Sequence, residues 1–211
     1  MLHRFFIKTP WFVKKIFSSY VWSLPGDDHS VYLTFDDGPD PEITTWVLDE
    51  LKKYDARATF FCTGNNVEQY PEIYQRILEN DHAVGNHSYS HYNGWETNED
   101  KYISDVEAAT KFISSHLFRP PYGRIRNGQA KRIPDALQRS DAKIIMWDVL
   151  SADFDLSYTP QQCLSNVLKN FSPGSIIVFH DSQKASSNLK YALPRVMEVL
   201  QEAGYGFKKI E

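Results

Sequence analysis

Thr34-Phe35-Asp36-Asp37-Gly38-Pro39 follows the apolar run of residues 31–33 and precedes a helical pattern that begins near Pro41. This context is typical of a β-strand that ends in a turn. Two adjacent carboxylates repel each other, and the repulsion raises the pKa of one of them. A bound cation, or a separate partner for each carboxylate, removes that cost. The stretch therefore predicts a metal ion or basic groups at a strand end, with an ordinary solvated turn as the alternative.

Composition limits the class of protein. The chain has 211 residues, 42% of them hydrophobic, which suits one α/β domain with a substantial core. The net charge is −4, and no long basic block follows residue 30, so nucleic acid is not expected to be a partner. The two cysteines, Cys62 and Cys163, form no CxxC pair and no disulfide framework. Cys62 extends an apolar run and is expected to be a buried free thiol.

The first part of the chain is predicted to be a separate N-terminal segment, residues 1–26, ahead of a domain formed by residues 27–211. Residues 1–23 combine seven aromatic side chains with four basic ones. Their apolar runs are shorter than the roughly 20 residues that cross a bilayer, and no cleavable signal peptide is evident. Such a segment can lie on a membrane surface or pack its aromatic side chains on the domain. We therefore expect a cytoplasmic or membrane-associated protein, with peripheral membrane contact through residues 1–23 as one alternative.

From residue 31 onward, short β-like runs alternate with helical patterns. The predicted strands are residues 31–35, 58–62, 83–86, 117–119, 143–147, 175–179 and 205–210. The predicted helices are residues 41–54, 67–80, 98–116, 129–139, 160–170 and 189–203. Repeated β-then-α units imply a parallel sheet covered by helices. Seven units fit either an open doubly wound sheet or a closed, irregular barrel, and in both the chemistry collects at the carboxyl ends of the strands.

Most chemically reactive side chains follow these predicted strands. They are Asp36 and Asp37 after the first strand, His87 and His91 after the third, Arg119 and Tyr122 after the fourth, Asp153 after the fifth, and His180 and Asp181 after the sixth. The i, i+4 spacing of His87 and His91 can bring both imidazoles to one ion. With a carboxylate from another strand they make a two-His, one-Asp set with open positions, which suits a catalytic Zn²⁺.

His180 stands apart from that pair, at the end of a very apolar strand. A histidine in this position is commonly a satisfied core residue. Opposite a metal site, and oriented by a carboxylate, it can instead act as a general acid.

Four motifs in chain order resemble the polysaccharide deacetylase family, also known as the NodB homology domain or carbohydrate esterase family 4. They are TFDDGP at residues 34–39, H-S-x-x-H at residues 87–91, R-P-P-Y at residues 119–122 and V-x-H at residues 178–180. The resemblance covers about residues 30–211. It implies a metal-dependent hydrolase with an α/β fold, a distorted (β/α)7 TIM-like barrel.

The resemblance also implies a role for each motif residue. Asp37, His87 and His91 would bind a divalent metal, expected to be Zn²⁺, with Co²⁺, Ni²⁺ and Mn²⁺ as alternatives. Asp36 would be the base that deprotonates the water on the metal. His180, oriented by Asp153, would be the acid that protonates the leaving amine or alkoxide.

Further residues would support this chemistry. Arg119 would pair with the base Asp36, and Arg57 is a second candidate for that role. The backbone N–H of Tyr122 would help the metal to stabilise the oxyanion. The expected acetyl pocket is lined by Tyr122, Phe154 and Val178.

One motif departs from the family pattern. The family usually has Asp-x-x-Asp-Trp, whereas residues 150–154 read LSADF. Leu150 replaces the first aspartate and Phe154 replaces the tryptophan, while Asp153 is retained. This departure puts the choice of substrate in doubt more than the chemistry.

The sequence therefore predicts a hydrolase that removes acetyl groups from an N-acetylated or O-acetylated carbohydrate, with an acetylated glycan or amino sugar as substrate. One alternative is a catalytically weak or inactive carbohydrate-binding relic of the same fold. Another is a non-haem iron oxygenase, which shares the two-His, one-carboxylate ligand set. Such oxygenases are commonly built on all-β scaffolds, so the β-then-α alternation argues against this last reading.

Overall fold

The strands of the fold form one parallel, curled sheet whose interior contains the buried Arg119 and Asp36. The computed structural model describes residues 5–24 and 29–211. Its strands are β1 (Ser30–Asp36), β2 (Thr59–Cys62), β3 (Ala83–Asn86), β4 (Leu117–Phe118), β5 (Lys143–Ile144), β6 (Val149–Leu150), β7 (Ile176–His180) and β8 (Gly206–Phe207). The order in the sheet is β5-β4-β3-β2-β1-β7-β6, and β8 pairs with the amino end of β1.

Helices connect and cover the strands. They are α1 (Trp11–Ile16), α2 (Ile43–Lys52), α3 (Gly64–Gln69), α4 (Pro71–Glu79), α5 (Glu99–Ala109), α6 (Asn127–Leu137), α7 (Pro160–Leu168) and α8 (Ser186–Glu202), with a short 3₁₀ turn at Pro121–Gly123. The prediction of one helix over residues 67–80 is wrong. Pro71 has no backbone N–H to continue a preceding helix, but it is well suited to the first turn of a new one, where it begins α4.

The two ends of the sheet are linked by a single stretch of chain, residues 143–150. Its first part, β5, pairs with β4, and its second part, β6, pairs with β7. The predicted strand over residues 143–147 is therefore wrong in its bounds, because the chain changes partners in the middle. This connection curls the sheet into the predicted distorted (β/α)7 barrel, which is confirmed, and it excludes the open doubly wound alternative.

The alternation along β1 separates the core from the barrel interior. Val31, Leu33 and Phe35 are fully buried in the main hydrophobic cluster, which includes side chains from α2 and α8. Thr34 and Asp36 have the opposite parity and contact the buried Arg119. Since successive residues of a strand face opposite sides of the sheet, the apolar residues build the core and the polar ones reach the interior.

Cysteine placement agrees with the sequence. Cys62 and Cys163 are both free and buried, so the predicted state of Cys62 is confirmed.

Residues 5–24 run along the seam where β5 turns into β6. Lys8 forms an antiparallel bridge with Val149, and Val21 forms a parallel bridge with Ile145. Trp22 is buried in a hydrophobic cluster with residues of β4 and β5. Part of the aromatic content of the segment thus packs on the barrel. The predicted boundary between residues 26 and 27 lies outside the described residues, as do residues 1–4.

The rest of this segment leaves apolar side chains in solvent. Five of them form what we call the N-terminal patch: Phe6, Trp11, Phe12, Ile16 and Phe17. None of the helices within residues 5–24 and 29–211 combines the length and the apolar character needed to cross a bilayer.

Candidate active site

The turn after β1 places two consecutive carboxylates in one cavity. In a regular strand, the side chains of Asp36 and Asp37 would face opposite sides of the sheet. Asp37 instead has a φ of 83°, in the left-handed region that non-glycine residues seldom occupy. Both side chains therefore line the same cavity. The side chain of Asn66 holds the turn by donating a hydrogen bond of 2.8 Å to the carbonyl of Asp37.

Asp37 meets the two motif histidines at the mouth of the barrel. Its Oδ1 lies 3.1 Å from Nε2 of His91 and 3.8 Å from Nε2 of His87. One ligand atom from each of the three residues falls within 4.8 Å of the others. One carboxylate and two imidazoles in this arrangement can hold one divalent ion.

The loop after β3 is shaped to present these histidines. Ser88 and His91 have φ values of 61° and 58°. The carboxylate of Asp105 on α5 accepts hydrogen bonds from the backbone N–H groups of Tyr89 and Ser90, at 3.1 and 2.9 Å. The amide oxygen of Asn86 accepts another from the N–H of Ser88. These contacts fix a tight loop, not a helical turn, between the two imidazoles.

The hydrogen bonding of His87 suits a metal ligand. Its Nδ1 lies 2.7 Å from the carbonyl oxygen of Arg119, so Nδ1 carries the proton and Nε2 keeps a free lone pair. Burial lowers the pKa of His87 to about 4, which keeps the imidazole neutral. Burial opposes ionisation of Asp37, but a hydrogen bond from His91 and the nearby histidine charges hold its pKa well below the usual range. The residues thus fit a divalent metal ion.

Asp36 has a different environment from its neighbour. It is paired with Arg119, whose Nη1 donates a hydrogen bond of 2.6 Å to Oδ1. Arg119 is completely buried and also donates to Thr34 and to the carbonyls of Ile145 and Met146. A buried guanidinium with its donors satisfied is a fixed counter-charge. It gives the carboxylate of Asp36 a partner of its own beside the metal ligands, without making it one of them.

His180 lies at the end of β7, directly beside Asp36 in the register of the sheet. Its Nδ1 is 2.8 Å from Oδ1 of the buried Asp153, and its backbone N–H donates to the second oxygen of that carboxylate. Burial alone would lower the pKa of His180. The charge and hydrogen bond of Asp153 outweigh burial and raise the pKa to about 9. The proton on Nε2 is therefore available at neutral pH.

Asp36, Asp37, His87, His91 and His180 all line one cavity of about 1140 Å³. Tyr122, Phe154, Val178 and Leu150 form part of its wall. Tyr122 is 61% exposed and has a φ of 59°. The backbone N–H of Tyr122 has no hydrogen-bond acceptor among residues 5–24 and 29–211.

Arg57 does not reach this site. Its guanidinium lies at the surface, where it pairs with Asp55 at 3.1 Å and Asp81 at 3.2 Å. The reason is position in the chain. Arg57 precedes β2, at the amino end of the strand, whereas Asp36 lies at the carboxyl end of β1. Its candidacy as partner of Asp36 is therefore wrong.

Some residues of the site were not found from the sequence. Thr34 accepts a hydrogen bond from Arg119, and Asp105 holds the loop that carries the two histidines. Trp147 and Phe5 line the cavity. Thr34 belongs to the quoted motif, and its parity on β1 is a signal that could have found it. Phe5 precedes the start of the first motif by 29 residues, and no spacing rule connects the two.

Comparison with known proteins identifies the family. The family model described as polysaccharide deacetylase matches residues 23–140. This chain belongs to the polysaccharide deacetylase family. A peptidoglycan-N-acetylglucosamine deacetylase from Bacillus cereus is 36% identical over 170 residues, which cover 78% of this chain and 60% of that relative. This chain thus spans less than two thirds of that relative's length.

Solved structures of polysaccharide deacetylases share the fold over most of the chain. The Bc1960 peptidoglycan N-acetylglucosamine deacetylase matches with a TM-score of 0.81 and 33% identity, covering 96% of this chain and 95% of that one. BA3943 from Bacillus anthracis, a pseudoenzyme of carbohydrate esterase family 4, matches with a TM-score of 0.77 and 28% identity. That match covers 90% of this chain and 66% of that one. The family therefore contains both active enzymes and an inactive member.

The ligand cluster gives a direct test by metal binding. Substituting His87→Asn or His91→Asn should weaken Zn²⁺ binding by at least about 100-fold, because each removes one of three protein ligands. Calorimetric titration with Zn²⁺ and elemental analysis of the purified protein measure this. His116→Asn, which changes a histidine outside the cluster, is the control and should bind like the wild type. Unchanged affinity in the His91 variant would refute the assignment.

Proposed function

We propose that this protein hydrolyses the acetyl group of an N-acetylated or O-acetylated sugar in a glycan, with N-acetylated amino sugars as the first class to test. One observation carries the proposal. The carboxylate of Asp36, paired with Arg119, and the imidazole of His180, paired with Asp153, lie side by side at the carboxyl ends of β1 and β7, next to the ligand cluster. That combination offers a base and an acid to the same acyl group.

The metal supplies one part of the chemistry. Asp37, His87 and His91 would hold a divalent ion, which would lower the pKa of water and polarise a carbonyl oxygen. Zn²⁺ suits the ligand set, and Co²⁺, Ni²⁺ and Mn²⁺ are alternatives.

Asp36 serves as the base. As the water oxygen bonds to the acetyl carbon, one water proton moves to the carboxylate of Asp36. Arg119 keeps this carboxylate oriented through a hydrogen bond of 2.6 Å. A carboxylate that ligates the metal accepts a proton poorly, so the two adjacent aspartates divide the work.

His180 serves as the acid. When the bond between the acetyl carbon and the sugar nitrogen or oxygen breaks, the leaving group takes the proton from Nε2 of His180. Asp153 stabilises the imidazolium before transfer and fixes its orientation. The products are acetate and a free amine or hydroxyl group.

Tyr122 supports the oxyanion and the substrate. Its backbone N–H, directed from a strained turn and without an acceptor among the described residues, can donate to the negative oxygen that develops on the carbonyl. Tyr122, Phe154 and Val178 offer an apolar surface for the acetyl methyl group.

An inactive carbohydrate-binding relic is the second candidate, because BA3943 shows that the fold exists without activity. Against it stands the set of side chains in this chain. Asp36, His180 and His87 are each hydrogen-bonded to a partner that supports the proposed role, and Asp37 and His91 complete the ligand cluster.

Removing the base separates catalysis from metal binding. In Asp36→Asn, the amide can still accept from Arg119 but takes no proton, so acetate release should fall by about 100-fold or more. Zn²⁺ content should stay at the wild-type level. Acetate is measured with an acetylated glycan panel, and thermal unfolding checks the fold of the same samples.

Asp49→Asn, on the exposed face of α2, is the matched carboxylate control and should keep full activity. Wild-type turnover in Asp36→Asn would contradict the assignment of the base. Absence of acetate release from the metal-loaded wild type on every glycan would favour the relic.

The pH profile tests the acid. Because His180 works protonated, activity should fall as the pH rises through its pKa. In Asp153→Asn the stabilising charge is lost and the pKa of His180 falls, so the alkaline limb of kcat/KM should move at least about one pH unit lower. Asp141→Asn, a surface carboxylate paired with Arg139, should leave the limb unchanged. If the alkaline limb of kcat/KM in Asp153→Asn coincided with that of the wild type, the assignment of His180 as the acid oriented by Asp153 would be wrong.

We also propose that the enzyme works against an anionic membrane surface. The N-terminal patch is exposed, and α1, which holds part of it, also carries Lys15, whereas Lys8 and Lys14 pair with the buried Asp148. Apolar side chains beside basic ones favour the interface of anionic lipid bilayers.

Sedimentation with vesicles tests this proposal. The wild type should bind vesicles that contain phosphatidylserine, and a Trp11→Ser, Ile16→Ser double variant should bind them much less. Val199→Ser, an exposed apolar position on α8, is the control. Equal binding by the double variant and the wild type would exclude the patch as the contact.

A further inference from the structure

A residue of the N-terminal segment, Phe5, forms part of the active-site wall. Its ring centroid lies 5.4 Å from that of Phe154 and 6.1 Å from that of Tyr158. The same side chain lines the cavity that holds Asp36 and His180. Phe5 lies outside the residues matched by the family model.

The backbone of the segment fixes where this ring sits. The carbonyl of Ile7 accepts a hydrogen bond of 2.8 Å from the N–H of Leu150, and the N–H of Thr9 donates to the carbonyl of Asp148 at 2.9 Å. With the bridge between Lys8 and Val149, residues 7–9 extend the sheet beyond β6 in the antiparallel sense.

A buried carboxylate anchors this pairing. Asp148, with a side chain 2% exposed, binds the ammonium of Lys8 at 2.6 Å and also pairs with Lys14. Two lysines from the segment thus meet one buried negative charge of the barrel. Phe5 comes two residues before the first of these backbone contacts, so its position relative to β6 is well defined.

The contact partners of Phe5 lie next to the chemistry. Phe154 stands edge-on to the imidazole of His180, with centroids 4.7 Å apart. Leu150, on the strand that pairs with the segment, lines the cavity as well. Phe5, Phe154 and Leu150 thus all line the cavity, and the rings of Phe5 and Phe154 contact each other beside His180.

We propose that Phe5 is a substrate-binding residue, whose ring packs against the apolar C–H face of a sugar unit neighbouring the one that loses its acetyl group. This inference rests on the proposed function and adds a binding determinant from outside the matched domain. Aromatic rings bury a large apolar area at a small cost in conformational entropy, which suits a flat sugar face. Phe6 gives the contrast, since it is 58% exposed and does not line the cavity.

Kinetics of matched variants test the proposal. Phe5→Ala should raise KM for an N-acetylglucosamine pentamer by about tenfold, the loss of one buried aromatic contact, with kcat little changed. Turnover of 4-nitrophenyl acetate, which has no neighbouring sugar, should not change. Phe6→Ala should match the wild type on both substrates, and Phe5→Tyr should restore the pentamer KM.

Other outcomes would overturn the proposal. Equal pentamer KM values for the two alanine variants would do so. If Phe5→Ala also lost turnover of 4-nitrophenyl acetate by as large a factor as its pentamer KM changes, Phe5 would have a purely structural role and the proposal would be wrong. If Phe5→Ala unfolds, Phe5→Leu keeps the apolar packing without the aromatic face and should show the same rise in KM.

Failure of this inference can be told from failure of the proposed function. If the wild type releases no acetate from any glycan, the deacetylase assignment fails. The pentamer dissociation constant measured by calorimetry then still tests Phe5. A dissociation constant about tenfold weaker in Phe5→Ala than in Phe6→Ala supports the binding role, and equal constants refute it.

Discussion

The buried pair of Arg119 and Asp36 is the interaction on which the rest of the site depends. A guanidinium without solvent needs a counter-charge and acceptors for its remaining donors, and the barrel interior supplies both through Asp36, Thr34 and the carbonyls of residues 145 and 146. The ring of Phe61 lies 4.0 Å from the guanidinium carbon and covers its face. The carbonyl of the same arginine fixes the tautomer of His87. One residue thus orients the candidate base and a candidate metal ligand together.

The two ion pairs of the site are arranged in opposite senses. In the pair of Arg119 and Asp36, the cation is completely buried and the carboxylate faces the cavity. In the pair of Asp153 and His180, the carboxylate is completely buried and the imidazole faces the cavity. A base must present a free carboxylate and an acid must present a proton. Because Arg119 is buried behind Asp36 and Asp153 is buried behind His180, a carboxylate and an imidazole face the cavity from adjacent strands. Each has its own buried counter-charge, so the two do not neutralise each other.

Local sequence signals located the motif residues because parallel strands place their carboxyl ends at one edge of the sheet. That rule correctly grouped residues from β1, β3 and β7, although they are far apart in the chain. It failed where tertiary contacts decide the structure. The chain over residues 143–150 pairs first with β4 and then with β7, because these two strands lie on either side of the seam. No local sequence pattern predicts this change of partner. Arg57 was misplaced because residue type was considered without asking at which end of β2 it lies.

The departures from the family pattern fall in one region. Leu150 and Phe154 replace a polar and a larger aromatic residue, and both lie where residues 5–9 meet the barrel. The backbone N–H of Leu150 is itself bound by Ile7. On the opposite side of the cavity, the ligand cluster and Asp36 keep the family residues. Under the proposed function, changes in the wall next to β6 would alter the fit of the glycan and leave the groups that move protons in place, because the two sides of the cleft are built from different strands.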